Sequence, residues 1–218
     1  MSFSKLEEIK CQCGEVFEAE LWNAINVVED PELKDALLAG EINIVCCPAC
    51  GQILYAEHFI LYHDPRHELI AFVYPLSFAD RKEHWERKMR EDFEQATKDL
   101  LAEEVITYEP VLLFGLDALY DIVRTEEEDL DEIAILEYCA KDLGLSLIHL
   151  KPSLSRPLHI PMVIPRKHIK GAMPREEILA GLDVLLEYNE RLTCFDRLRH
   201  LIEHNKDWEL DKKLVKEK

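Results

Sequence analysis

Two close cysteine groups constrain this chain more than any other feature. Cys46-Cys47-Pro48-Ala49-Cys50-Gly51 puts three thiols within five residues, and Cys11-Gln12-Cys13-Gly14 puts two more upstream. Thiolates are soft ligands that hold zinc tetrahedrally at about 2.3 Å. Cys47 and Cys50 have the two-residue spacing of a zinc knuckle, in which a tight turn aims both sulfurs at one point. Cys11 and Cys13 are one residue closer. In a strand, residues i and i+2 point to the same face, so both can still reach one metal. The expected ligands are therefore Cys11, Cys13, Cys47 and Cys50 around zinc, with Cys46 as the alternative to Cys13. Four thiolates leave no open position for water, so such a site is structural and generates no nucleophile. A redox dithiol at Cys47 and Cys50 is the competing reading. No βαβ unit opens at Cys47, which argues against it.

The wider composition narrows the setting. Seven cysteines is an odd number, and Met1-Ser2-Phe3-Ser4-Lys5-Leu6 is not a basic-then-apolar leader. Reduced thiols and a cytoplasmic address are expected. No run of about 18 apolar residues is present, so no membrane span is expected. The net charge is -18, unevenly spread. Residues 1–78 hold 4 Lys/Arg against 13 Asp/Glu, 79–150 hold 8 against 20, and 151–218 hold 14 against 11. Phosphate binding needs clustered cations, so the acidic metal segment is a poor nucleic-acid reader.

The pattern along the chain predicts an α+β fold. Phe17, Ala19 and Leu21 alternate with Glu18 and Glu20, which predicts a half-buried strand. Asp30-Pro31 opens and Gly40 closes a short helix over 31–39. Residues 41–46 return as a strand, 52–62 read as a strand covered on both sides, and 69–74 pair back across the turn His63-Asp64-Pro65-Arg66-His67-Glu68. The expected first domain, 1–76, is a small antiparallel sheet with one short helix and a zinc-ribbon-like site of four cysteines. The expected second, 77–218, is mostly helical and packs back on the sheet. Its first helix, 78–103, carries the stripe Trp85, Met89, Phe93, Ala96 and Leu100. Then come a short strand at 111–114, a helix from Leu116, an acidic loop at 126–129, and a helix over 131–141. Extended pieces at 146–150 and 158–164, a long helix from Pro174 and a frayed tail over 207–218 complete it.

One group of residues resembles a known family. Ile25-Asn26-Val27, Asp30-Pro31-Glu32-Leu33-Lys34, Leu37-Leu38-Ala39-Gly40-Glu41, Cys47-Pro48-Ala49-Cys50-Gly51 and Tyr62-His63-Asp64-Pro65 are similar in order and spacing to the CpXC family. The resemblance covers about residues 9–125. This chain departs from the paired Cys-Pro-x-Cys pattern at Cys11-Gln12-Cys13, which lacks the proline and one residue. The resemblance implies zinc and supplies no reaction.

Other constellations are weaker. His58, His63, Asp64 and His67 could serve acid–base chemistry or a second metal, but a polar hairpin turn plus one strand histidine is the favoured explanation. Arg166-Lys167-His168-Ile169-Lys170, with Arg156, His159 and Arg175, is the one basic cluster and suits an anion, RNA, an acidic partner or simply the acidic middle of the same chain. Cys139 and Cys194 fit buried apolar positions, and Trp22, Trp85 and Trp208 fit packing. No phosphate-cradling glycine loop and no Gly-x-Ser-x-Gly or His-Glu-x-x-His motif occurs. The expected function is a cytoplasmic zinc-binding protein with a protein-interaction or regulatory role and an unidentified protein partner. The alternative is a hydrolase-like, metal-supported enzyme using His63 and Asp64.

Overall fold

The computed structural model describes residues 1–99 and 106–216. The chain forms two compact units, Met1–Arg124 and Thr125–Lys218.

In the first unit, β1 (Phe3–Lys10) and β2 (Val16–Asn26) form a long antiparallel hairpin. After α1 (Glu32–Leu38), β3 (Ile44–Cys46) and β4 (Ile53–Tyr55) form a separate two-stranded ribbon. Then come β5 (Ile60–Asp64), β6 (Leu69–Tyr74), α2 (Lys82–Asp99), β7 (Val111–Phe114) and α3 (Leu116–Cys139). The main sheet has five strands in the order β1-β2-β5-β6-β7. It is mixed, which corrects the antiparallel expectation: β2 runs parallel to β5, and β6 parallel to β7. Each parallel step follows from an intervening helix, α1 before β5 and α2 before β7, since parallel strands need a crossover rather than a tight turn.

The sheet is covered on both faces. Ile25, Ile60, Tyr62, Ala71 and Val73 face Leu33 and Leu37 of α1 and Leu119 and Val123 of α3. Ile70 and Phe72 lie on the other side with Trp85, Met89 and Phe93 of α2. All six residues of β6 are buried, as a strand covered on both faces requires. The expected boundary at 76/77 differs from the observed one for this reason: β7, beyond it, pairs with β6.

The helix expected over 78–103 begins with a 3-10 turn at Leu76–Arg81 before α2. Its proposed end, including Leu100, lies outside the described residues, as do the last two residues of the tail. The strand expected over 52–62 is two strands, with β4 in the ribbon and β5 in the sheet.

In the second unit, the later turns of α3 contribute Ile133, Leu136 and Cys139 to a separate core. The expected acidic loop at 126–129 is part of this helix. No Gly or Pro interrupts it. Asp129 pairs with Arg197 at 2.8 Å, and Glu132 accepts the amides of Thr193 and Cys194, each at 2.8 Å. The hairpin β8 (Ser146–His149) and β9 (Val163–Arg166) brackets a short α4 (Pro152–Ser155). The extended piece expected over 158–164 is therefore strand only from Val163 onward. Helices α5 (Pro174–Tyr188) and α6 (Thr193–His204) complete the core with Ile178, Leu182, Leu185, Phe195 and Leu198.

Candidate metal centre

The four cysteines lie at the tips of two hairpins. Cys11-Gln12-Cys13-Gly14 joins β1 to β2, and Cys47-Pro48-Ala49-Cys50-Gly51 joins β3 to β4. The two turns close by the same bonds. The Gly14 amide donates to the Cys11 carbonyl at 3.0 Å, and the Cys11 amide to the Glu15 carbonyl at 2.9 Å. The Gly51 amide donates to the Cys47 carbonyl and the Cys47 amide to the Gln52 carbonyl, both at 2.9 Å. Each turn thus ties its glycine to its first cysteine, and that cysteine to the residue after the glycine. Gly14 (φ 96°) and Gly51 (φ 71°) occupy backbone conformations that favour glycine. The missing residue of the first pair shortens the turn without changing how it closes.

The four Sγ atoms all lie within 4.8 Å of one another. Cys11 and Cys50 are 3.7 Å apart, as are Cys13 and Cys47, so each close contact joins one turn to the other. Sulfurs about 2.3 Å from one tetrahedral centre stand about 3.8 Å apart. The donor set therefore fits a metal of that geometry. Cys11 and Cys47 are buried, while Cys13 and Cys50 are exposed. Cys46 lies outside the group, exposed, with its thiol directed at the Cys47 carbonyl.

The thiols differ in acidity. Burial pushes Cys47 up, but the amides of Cys50 and Ala49 and the thiols of Cys11 and Cys50 pull it further down, to about 7. For Cys11, the Cys13 amide pulls down, while burial and the thiols of Cys13, Cys47 and Cys50 push it up to about 12. A cation would draw the remaining protons off, since metal binding needs thiolates.

Asn43 locks the ribbon to the main sheet. Its Oδ1 accepts the Trp22 amide at 2.7 Å, its Nδ2 donates to the Trp22 carbonyl at 3.1 Å, and its own carbonyl accepts the Ala56 amide at 2.9 Å. It is buried, with φ 57°. Sequence reasoning passed over it, and the one local signal is an asparagine in a strand pattern that tolerates positive φ.

The histidine group separates into three contacts. Asp64 is buried and receives His67 Nδ1 at 2.7 Å, the Arg66 amide at 3.1 Å and Lys34 Nζ at 3.4 Å. Burial pushes its carboxyl up, and His67 and Lys34 more than reverse this, holding it at about 2. His63 Nε2 meets the Tyr108 hydroxyl at 2.9 Å, and His58 lies 3.6 Å from Glu7. In the basic cluster, Glu177 from α5 accepts from Arg166 Nε at 2.6 Å and the Ile169 amide at 3.0 Å, and His168 Nδ1 lies 2.9 Å from its carboxylate. Arg156 pairs with Glu126, and Arg175 donates to the Ile202 carbonyl. The cluster is largely spent inside its own unit. Cys139 and Cys194 are buried as expected. No described helix is long and apolar enough to cross a membrane.

A family model described as CpXC protein matches residues 9–138, more than half of the chain. No curated protein and no solved structure matches it.

Proposed function

We infer that this chain, which belongs to the CpXC family, binds one zinc ion through Cys11, Cys13, Cys47 and Cys50. One observation carries the reading: four sulfurs from two hairpin tips lie within 4.8 Å, with the cross-turn pairs near the edge length of a tetrahedral thiolate site. Soft sulfur in this geometry favours zinc over the hard divalent ions. With all four positions filled by protein, the ion acts as a clamp between the β1–β2 tip and the ribbon. We assign the protein an interaction or regulatory role rather than chemistry at the metal. Ile44, Ile53 and Tyr55, exposed apolar residues of the clamped ribbon, support that role. A reducing compartment such as the cytoplasm suits seven free thiols. The hydrolase-like alternative gains no support from Asp64, which already receives three donors, or from His63, which meets Tyr108.

Elemental analysis of the purified protein tests the reading. One zinc per chain is expected, falling at least severalfold in Cys47→Ser. Cobalt exchanged into the site should give the absorption of a tetrahedral thiolate complex. Zinc content unchanged by Cys47→Ser would sink the assignment. Cys46→Ser should leave the content as it is.

A further inference from the structure

The two metal tips sit at the ends of β1 and β4, and each of these strands has one ladder partner among the described residues. β1 is the outermost strand of the main sheet, and β4 has β3 as its one ladder partner among the described residues. A cleft of about 350 Å³ lies between them. Four consecutive residues of β1, 7–10, line it, and so do the five consecutive residues 54–58. Side chains alternate between the two faces of a strand. Residues of both orientations on β1 line the cleft, so it takes in the strand's outer edge as well as the face that Leu21 of β2 shares; of residues 54–58, two belong to β4. Main-chain donors and acceptors on such an edge are a template for another strand.

The walls also state what chemistry fits. Leu21, Leu54 and Ala56 supply apolar floor, and the neighbouring Ile53 and Tyr55 are exposed. Glu7, Glu8 and Glu57 line the cleft against Lys10 and His58. The surrounding unit, residues 1–124, carries 11 Lys/Arg against 25 Asp/Glu. That field repels acidic chains, a second copy of this edge included, and attracts cationic ones. The separation of the two edges is governed by the tips: Cys11 follows β1, Cys50 precedes β4, and their sulfurs stand 3.7 Å apart.

We propose that the groove between β1 and β4 binds an extended, Lys/Arg-rich segment of a partner protein, which adds as a strand to the free edge of β1. The inference rests on the zinc reading for the clamp that fixes the groove's width. Main-chain bonds to β1 supply affinity, apolar side chains meet Leu54 and Tyr55, and cationic ones meet Glu8 and share Glu7 with His58 and Glu57 with the Leu76 amide.

Fluorescence anisotropy with a labelled ten-residue peptide of alternating Val and Lys tests this on the full-length, zinc-loaded protein. Saturable binding is expected, weakening about tenfold from 0.05 to 0.3 M salt as exposed charges are screened. The same peptide with Glu for Lys should not bind, nor should one with alternate backbone amides N-methylated. Glu8→Lys, an exposed substitution that leaves the fold and zinc content intact, should weaken binding about tenfold. Three results would overturn the proposal: no saturable binding at low salt, indifference to N-methylation, or sedimentation showing a dimer that the peptide dissociates. Zinc content measured on the same samples separates the two ideas. A zinc-loaded protein that ignores the peptide defeats the groove alone. A zinc-free protein that binds it as described defeats the metal reading and leaves the groove standing.

Discussion

Asn43 and the cysteines differ in how far each reaches along the chain. The cysteine cluster was legible because the spacing within each pair is short and written locally. Asn43 was not legible, since both its side-chain bonds go to Trp22, 21 positions away. Removing that amide leaves two main-chain groups without partners in a part-buried site, where each unmade bond costs about 1–3 kcal/mol. Asn43→Ala should therefore lower stability by about 2–4 kcal/mol in urea unfolding, and Asn43→Gly, which relieves the φ of 57°, by somewhat less. A loss under about 0.5 kcal/mol would show that the ribbon does not depend on this contact. Asp64 gives a second test at this scale. Its carboxyl is held at about 2, below the ordinary 3.8, so the folded state favours the charged form. That stability is present above about pH 4 and is lost as the pH falls toward 2, amounting to about 2 kcal/mol. Acid would also protonate the thiolates of the proposed metal site, so the readout is the difference between metal-free wild type and metal-free Asp64→Asn. That difference should be widest near neutrality and shrink between pH 4 and 2. A difference independent of pH would assign the effect of Asp64 to shape instead of charge.

Among the elements, those with clean periodicity were legible and those defined by their neighbours were not. Helix α1 follows from Pro31 and Gly40, and β6 from the turn that precedes it, though its cover on both faces was expected of 52–62 instead. Strand β1 was missed because Phe3-Ser4-Lys5-Leu6-Glu7-Glu8 lacks clean alternation; Leu6 is 68% exposed, as an edge strand allows. The parallel pairing of β2 with β5 depends on where α1 returns the chain, which no single segment records. Packing of α5 on β9 shows the same limit. A Cβ at Gly181 would stand 2.7 Å from the Pro165 carbonyl oxygen and 2.8 Å from its carbon, both main-chain atoms. Helix propensity alone makes Gly181→Ala stabilising by about 1 kcal/mol. Overpacking against backbone costs about 1–3 kcal/mol, and backbone cannot swing aside as a side chain does. The steric effect should win, so Gly181→Ala should lower the melting temperature. A rise would mean that α5 can move off β9 freely.

At the level of the whole chain, the four clustered cysteines belong to one unit, and a separate core of α3, α5 and α6 residues belongs to the other. A metal that binds only the folded tips contributes its binding free energy to the folding of what the tips hold together. Without a cation the four sulfurs within 4.8 Å keep protons and lose the ion that joins the two turns, so chelation should cost the tips more than the sheet. Hydrogen exchange can follow this along the chain. On chelation under reducing conditions, amides of 11–16 and 44–56 should exchange at least about tenfold faster, because their bonds close around the site. Strand β6, covered on both faces, should change less. Amides of 163–202, which draw on Glu177 and the core around Leu182 and Phe195, should keep their protection. Slower exchange confined to the tips on adding zinc back would complete the test. Equal loss of protection across both units would instead make the chain one cooperative body held by its metal, and the division at residue 124 would then carry no energetic meaning.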